Sequence, residues 1–86
     1  MNALDLARVM VLTDYEFQVI ALLVKGKTLA EVALDLGISF GAANSRRRRA
    51  YRKISVHSRA DLRQWMLEVG LASENDIVGW MLGENA

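Results

Sequence analysis

The sequence contains no cysteine and no proline, and its only histidine is His57. Without cysteine it can form neither a disulfide framework nor a cysteine-based zinc site, and one histidine cannot build a metal cluster. No nucleophile–base set and no glycine-rich phosphate loop can be assembled either, so an enzyme is not expected. We predict neither a metal nor a cofactor.

Long apolar runs are also absent. The longest stretch without a charged residue, residues 36–45, is ten residues long, whereas a membrane-spanning helix needs about 20. The first twelve residues include Asp5 and Arg8 and lack a basic start, which is unlike a signal peptide. These features predict a cytoplasmic protein without a membrane partner.

The chain has 86 residues, of which 52% are apolar. This length suits one domain, residues 1–86, and no repeat or linker divides it. So short a chain buries a small core. The apolar surplus therefore suggests self-association, with an apolar-rich monomer as the alternative.

The charge of the chain is concentrated in one segment. Residues 46–63 carry eight basic side chains and one acidic one, a net charge of +7. Residues 1–45 sum to −2 and residues 64–86 to −4, so the overall net charge is only +1. A basic segment between acidic ones is expected of a polyanion-binding protein, although many such runs are only solvated surfaces.

Helix start and stop signals divide the chain into helices. Capping-box patterns begin at Thr13, Thr28 and Ser58, and Ser39 and Ser73 are further N-cap candidates. Glycines 26, 37, 70 and 83 follow the predicted helices. With no convincing period-two segment, the sequence predicts an all-α fold of four helices, with short extra helical segments near residues 3–11 and 73–83.

Apolar residues recur at helical spacing in these segments. Tyr15, Val19, Leu22 and Leu23 are predicted to share one face of the first helix. The last two helices carry apolar residues that we interpret as a dimer or partner surface, with core packing as the alternative: Leu62, Trp65, Met66, Val69, Ile77, Trp80 and Met81.

The second and third helices are separated by a three-residue turn, Gly37-Ile38-Ser39. Short helices joined in this way can form a helix-turn-helix, whose second helix enters the DNA major groove, although the same arrangement also occurs as plain helix packing. On the third helix, Ala43, Ala50 and Ile54 share the core side. The opposite side carries the predicted base-contacting residues Asn44, Ser45 and Arg48, with contact to phosphates or solvent alone as the alternative.

The remaining polar residues of the helix-turn-helix are predicted to contact the DNA backbone. Arg46 and Arg47 lie at the core boundary and can extend their guanidinium groups to phosphates. Thr28 begins the second helix, where the N–H groups favour an anion, although pure capping explains this residue equally well. The predicted backbone contacts are Lys27, Thr28, Arg46, Arg47, Arg49 and Arg52.

Residues 12–70 resemble the LuxR/GerE (NarL/FixJ-type) helix-turn-helix domain without a gap. The resemblance rests on Leu12-Thr13, Glu16-x-x-Val19-Ile20, Gly26, Thr28-x-x-Glu31-Val32-Ala33-x-x-Leu36-Gly37-Ile38-Ser39 and Arg52-Lys53-Ile54-x-Val56-x-Ser58-Arg59-Ala60-Asp61-Leu62. It implies a four-helix, nucleoid-associated transcription regulator of bacterial or phage type. Such domains bind double-stranded DNA as homodimers on two-fold-related sites.

Carried over by position, the family's base-reading residues fall on Asn44, Ser45 and Arg48, and phosphate contacts fall near Thr28, Arg47 and Arg52. The usual threonine, valine and histidine of the family's third helix are replaced by Ala42, Ala43 and Arg46, so the operator sequence cannot be transferred. About eleven residues precede the resemblance, which suggests a stand-alone member with residues 71–86 as a C-terminal extension.

Two alternatives remain open. The chain could be a protein-interaction module that binds a full-length LuxR-type regulator, using the apolar residues of its last helices. It could also be a domain of sigma-factor region 4 type that contacts RNA polymerase, although the segment Val56-x-Ser58-Arg59-Ala60 fits the LuxR/GerE pattern better.

Overall fold

The computed structural model describes residues 11–84 as five helices joined by short turns, and no strand occurs in this range. The all-α class is thereby confirmed. The helices are α1 (Asp14–Val24), α2 (Leu29–Leu36), α3 (Phe40–Ile54), α4 (Arg59–Glu68) and α5 (Glu74–Glu84). The helix predicted near residues 3–11 falls outside the described residues except for Val11, which lies in a turn. None of the five helices is both long and apolar enough to cross a bilayer.

The predicted capping boxes begin α1 and α2. Thr13 Oγ1 accepts a hydrogen bond from the Glu16 N–H at 3.1 Å, and Glu16 Oε1 accepts one from the Thr13 N–H at 2.9 Å. Thr28 and Glu31 repeat the arrangement at 3.1 and 3.0 Å. These reciprocal bonds satisfy backbone donors that have no partner within the helix.

The start of α4 differs in part from the predicted box. Ser58 Oγ accepts from the Asp61 N–H at 3.0 Å, as expected, but the Asp61 carboxylate accepts from the His57 N–H rather than from that of Ser58. Asp61 therefore orders the loop between α3 and α4 as well as the first turn of α4.

Helix α1 lies at the centre of the core and packs against α2, α3 and α4. Val19 and Ile20 of α1 are fully buried. The predicted core side of α3 is confirmed, because Ala43, Ala50 and Ile54 are all at most 2% exposed. Two of these three residues are alanines, whose small side chains allow α3 to approach its neighbours closely.

The periodicity places Tyr15 on the same face of α1 as Val19 and Leu23; those two residues are buried, but 63% of Tyr15 is exposed. Helix α1 begins at Asp14, so Tyr15 lies in the first turn, beyond the apolar part of the core. The apolar face of α1 is therefore buried in its later turns and exposed at Tyr15.

The predicted association surface requires a larger correction. Five of its seven residues form part of the chain's own core: Leu62 is 0% exposed, Trp65 3%, Met66 3%, Val69 0% and Ile77 8%. Helical spacing places the four residues of α4 and its C-cap on one face, and α4 packs against α1 instead of leaving that face open. Trp80 is half-buried against the core, while Met81 is 46% exposed.

Candidate nucleic-acid interface

Helices α2 and α3 are joined by a tight turn that sets their relative direction. Gly37 has a φ of 66°, and its N–H donates to the Leu34 carbonyl at 3.2 Å. The Ile38 N–H donates to the Ala33 carbonyl at 3.0 Å. A left-handed glycine with two bonds back to the helix is a common C-terminal cap. Ser39 then begins α3 by accepting from the Ala42 N–H at 3.0 Å, which completes a helix-turn-helix.

Helix α3 has 15 residues and is about 22 Å long at 1.5 Å per residue. Its side away from the core is open: Ser45, Arg48, Arg49 and Arg52 are exposed and line a shallow hollow of about 250 Å³. These residues lie on successive turns. They place one hydroxyl and three guanidinium groups on the same side of the helix.

The flank of α3 that carries Asn44 is organised around Arg47. The Arg47 guanidinium lies over the Tyr51 ring, 5.5 Å from its centroid, and Nη2 donates to Asn44 Oδ1 at 2.8 Å. Because a guanidinium can only donate, this bond identifies which side of the Asn44 amide is the oxygen. Asn44 is half-buried, and the bond from Arg47 orients its amide.

Tyr51 is part of this flank and was not among the predicted site residues. Burial raises the pKa of its hydroxyl, although the Arg47, Arg59 and Arg63 guanidinium groups oppose this effect. The phenol therefore remains neutral at physiological pH. Its position four residues after Arg47 was a detectable signal, because such residues lie next to each other on a helix.

The opposite flank carries Arg46 and Arg49. The Arg46 guanidinium lies over the ring of Tyr15, 4.8 Å from its centroid. Arg49 Nε is 3.9 Å from Glu16 Oε2, and its side chain is 59% exposed. The two arginines, Thr13 and Tyr15 line one hollow of about 440 Å³. Cation–π contacts of this kind orient a guanidinium without neutralising its charge.

A buried carboxylate beneath this flank links α3 to α1. Glu16 is 3% exposed, and its Oε1 accepts from Lys53 Nζ at 2.7 Å. Lys53 also donates to the Val11 carbonyl at 3.1 Å. Burial by itself would raise the pKa of the Glu16 carboxyl, but the bonds from Lys53 and from Thr13 lower it below its ordinary value. The ionised Glu16 therefore fixes α3 relative to α1.

The start of α2 carries the other two predicted backbone contacts, Lys27 and Thr28. Thr28 is exposed and uses its hydroxyl in the capping box. Lys27 forms an ion pair with Asp35, which raises the pKa of the lysine. Arg59 Nη2 of α4 donates to the Lys27 carbonyl at 2.9 Å. Lys27 would have to exchange Asp35 for a phosphate to act as predicted.

The predicted base-contacting residues lie together on α3, with Ser45 and Arg48 exposed and Asn44 oriented by Arg47. Of the predicted backbone contacts, Arg46 and Arg49 lie on one flank and Arg47 on the other. Arg52 is exposed near the C-terminal end of α3. The structure adds Tyr15 and Tyr51, the ring partners of Arg46 and Arg47.

Comparison with known protein families identifies the family to which this helix-turn-helix belongs. The sequence-family model GerE, which describes bacterial regulatory proteins of the luxR family, matches residues 10–66. This is about two thirds of the 86-residue chain. A search of curated proteins and a search of solved structures each found no match. The matched segment includes α1, α2, the turn and all of α3. The chain belongs to the luxR family of bacterial regulatory proteins.

Proposed function

We propose that this protein is a sequence-specific DNA-binding transcription regulator that inserts α3 into the major groove. The observation that carries the proposal is the open side of α3, where Ser45, Arg48, Arg49 and Arg52 are exposed on a helix whose other side is buried. A major groove about 12 Å wide admits one α-helix. Family membership supports the same function.

Base reading is assigned to Asn44, Ser45 and Arg48. The Arg48 guanidinium can donate to O6 and N7 of one guanine, a contact that discriminates by about 1–3 kcal/mol. Asn44 can donate to N7 of an adenine and accept from its N6 amino group. Its oxygen has a second lone pair, so the bond from Arg47 and the bond to adenine are compatible.

Phosphate binding is assigned to the two flanks of α3 and to the start of α2. Arg46 and Arg49 lie on the side of Tyr15 and would contact one strand, whereas Arg47 would contact the other. Arg52, Lys27 and Thr28 supply further contacts. Such contacts fix the orientation of α3 without reading sequence.

We further propose that the regulator is a homodimer on two-fold-related DNA sites. Since α4 uses Leu62, Trp65 and Met66 in the core, these residues are not available for dimerisation. Among the apolar residues of α5, Val78, Met81 and Leu82 are 55%, 46% and 66% exposed. A symmetric dimer uses the same patch on both copies.

The experiment is selection of bound DNA from a random pool at fixed salt. The wild type should enrich one motif with two-fold symmetry. The double variant Asn44→Ala/Arg48→Ala should lose the motif and still retain DNA non-specifically. Lys25→Ala is the matched control, because it also removes one exposed positive charge but lies outside α3, and it should enrich the wild-type motif.

The exposed apolar residues of α5 favour a second candidate function, a module that binds another LuxR-type regulator or RNA polymerase. The same selection separates the two functions. A random pool that yields no motif, combined with capture of a purified full-length relative, would favour the module. In that case Val78→Ser/Leu82→Ser should abolish the capture.

A further inference from the structure

Phe40 is the first residue of α3, and 56% of it is exposed. It belongs neither to the buried core nor to the partly buried apolar layer around that core. Its neighbour Gly41 is exposed, and apart from the adjoining residues and the backbone of α3 itself no atom lies within 4 Å of the position that a Cβ would take there. A large apolar ring is thus presented, mostly exposed and outside the core, at the N-terminal end of α3.

The helical period places this ring in line with two proposed base contacts. Phe40, Asn44 and Arg48 are spaced four residues apart, and side chains with this spacing form one ridge along a helix. From the N-terminus the ridge offers an aromatic ring, an amide and a guanidinium. In helix-turn-helix complexes the N-terminal residues of the second helix contact the base edges, so Phe40 lies where such contacts are made.

We propose that Phe40 determines specificity by contacting the 5-methyl group of a thymine in the major groove. The inference rests on the proposed DNA-binding function and assigns an additional base to it. Thymine is the only DNA base with a methyl group on this edge, and apolar side chains, phenylalanine among them, make this contact.

The ridge also predicts where the thymine lies. Side chains four residues apart on a helix are about 5–6 Å apart at Cβ, and successive base pairs are about 3.4 Å apart. The thymine should therefore lie within about two base pairs of the adenine read by Asn44. It should lie on the side away from the guanine read by Arg48.

The test replaces single thymines with deoxyuridine in the site that the wild-type protein selects. Deoxyuridine keeps the base pair and removes only the methyl group. At the contacted position, wild-type affinity should fall about fourfold, the fold-change that corresponds to about 0.8 kcal/mol for one methyl-sized group. Phe40→Ser should bind the thymine and deoxyuridine sites equally, and Phe40→Leu should retain part of the difference.

Leu34→Ser is the matched control, since Leu34 is an exposed apolar residue of α2 that lies off the ridge, and it should keep the fourfold ratio. Thermal unfolding should show that both serine variants remain folded, as expected from their exposure. The inference is overturned if the wild type binds equally well after every thymine replacement, or if Phe40→Ser keeps the ratio. A selected motif without methyl dependence would overturn this inference alone, whereas the absence of any motif would overturn the proposed function with it.

Discussion

Helices α3 and α5 both present unusual surfaces, but of opposite kinds. The open side of α3 carries arginines and is held in place by Arg47–Asn44 and Lys53–Glu16 bonds. The first turn of α5 carries Glu74 and Asp76, and its exposed side presents Val78, Met81 and Leu82. Charge attraction weakens with salt and apolar contact does not. One small chain therefore carries an arginine-rich surface on α3 and a separate apolar surface on α5.

The largest expected effect is the salt dependence of DNA binding through α3. With six to ten phosphate contacts, affinity should fall about 10³–10⁵-fold between 50 and 200 mM salt. Fluorescence anisotropy over a salt series measures the slope. Arg49→Ala should reduce the slope by about one, while Val78→Ser on α5 should leave it unchanged. Equal slopes for wild type and Arg49→Ala would remove Arg49 from the interface.

The next effect is confined to one base pair. Arg48→Ala should weaken binding to the selected site by about 1–3 kcal/mol and relax the preference at the guanine position only. Competition with sites mutated singly at each position measures this. A uniform loss against every site would instead assign Arg48 to the phosphate backbone.

The third effect concerns the contact between α1 and α3 that Glu16 and Lys53 form. Glu16→Gln keeps a capping oxygen but removes the charge paired with Lys53, so the free energy of unfolding should fall by about 1–3 kcal/mol. Denaturant unfolding at pH 7 measures this. Glu31→Gln is the matched control, because Glu31 closes the same box on α2 without a buried ion pair. It should have a much smaller effect.

The same ion pair predicts that the free energy of unfolding depends on pH. The pKa of the Glu16 carboxyl lies below its ordinary value of 4.5, so the stability it contributes is present above that value and is lost as the pH falls through the lower folded pKa. Wild type and Glu16→Gln should therefore converge in unfolding free energy in acid. A constant difference between them down to pH 2 would contradict this role for the carboxylate.

The smallest effect is expected on α5. Val78→Ser/Leu82→Ser changes two exposed side chains and should alter the free energy of unfolding by at most about 0.5 kcal/mol per site. It should nevertheless weaken self-association, as measured by sedimentation equilibrium at high salt. Ile77→Ser is the contrasting variant and should destabilise the monomer, because Ile77 is 8% exposed. Unchanged association would assign the exposed side of α5 to another partner.

The features of the fold and of the candidate interface that are predictable from the sequence are local ones. The boxes at Thr13 and Thr28 depend on residues three positions apart, and the side of α3 that carries Arg48 follows from the helical period alone. The arginine-rich surface was therefore visible in the sequence. Local patterns also fix the turn at Gly37.

What could not be predicted depends on tertiary packing. The pattern of Trp65 and Met66 identifies an apolar face, but it does not say whether a partner or the chain's own core covers that face. The pairing of Glu16 with Lys53 joins residues 37 positions apart, and Arg46 with Tyr15 likewise joins α3 to α1. Periodicity within a single helix contains no information about such pairs.

The most direct test of the central claim compares affinity for the selected site with affinity for a scrambled site of equal length, at one salt concentration. The wild type should prefer the selected site by at least about 10³-fold. In Asn44→Ala/Arg48→Ala this ratio should approach one, while binding to the scrambled site stays within a few-fold of wild type. A double variant that keeps the wild-type preference would contradict the assignment of base reading to α3.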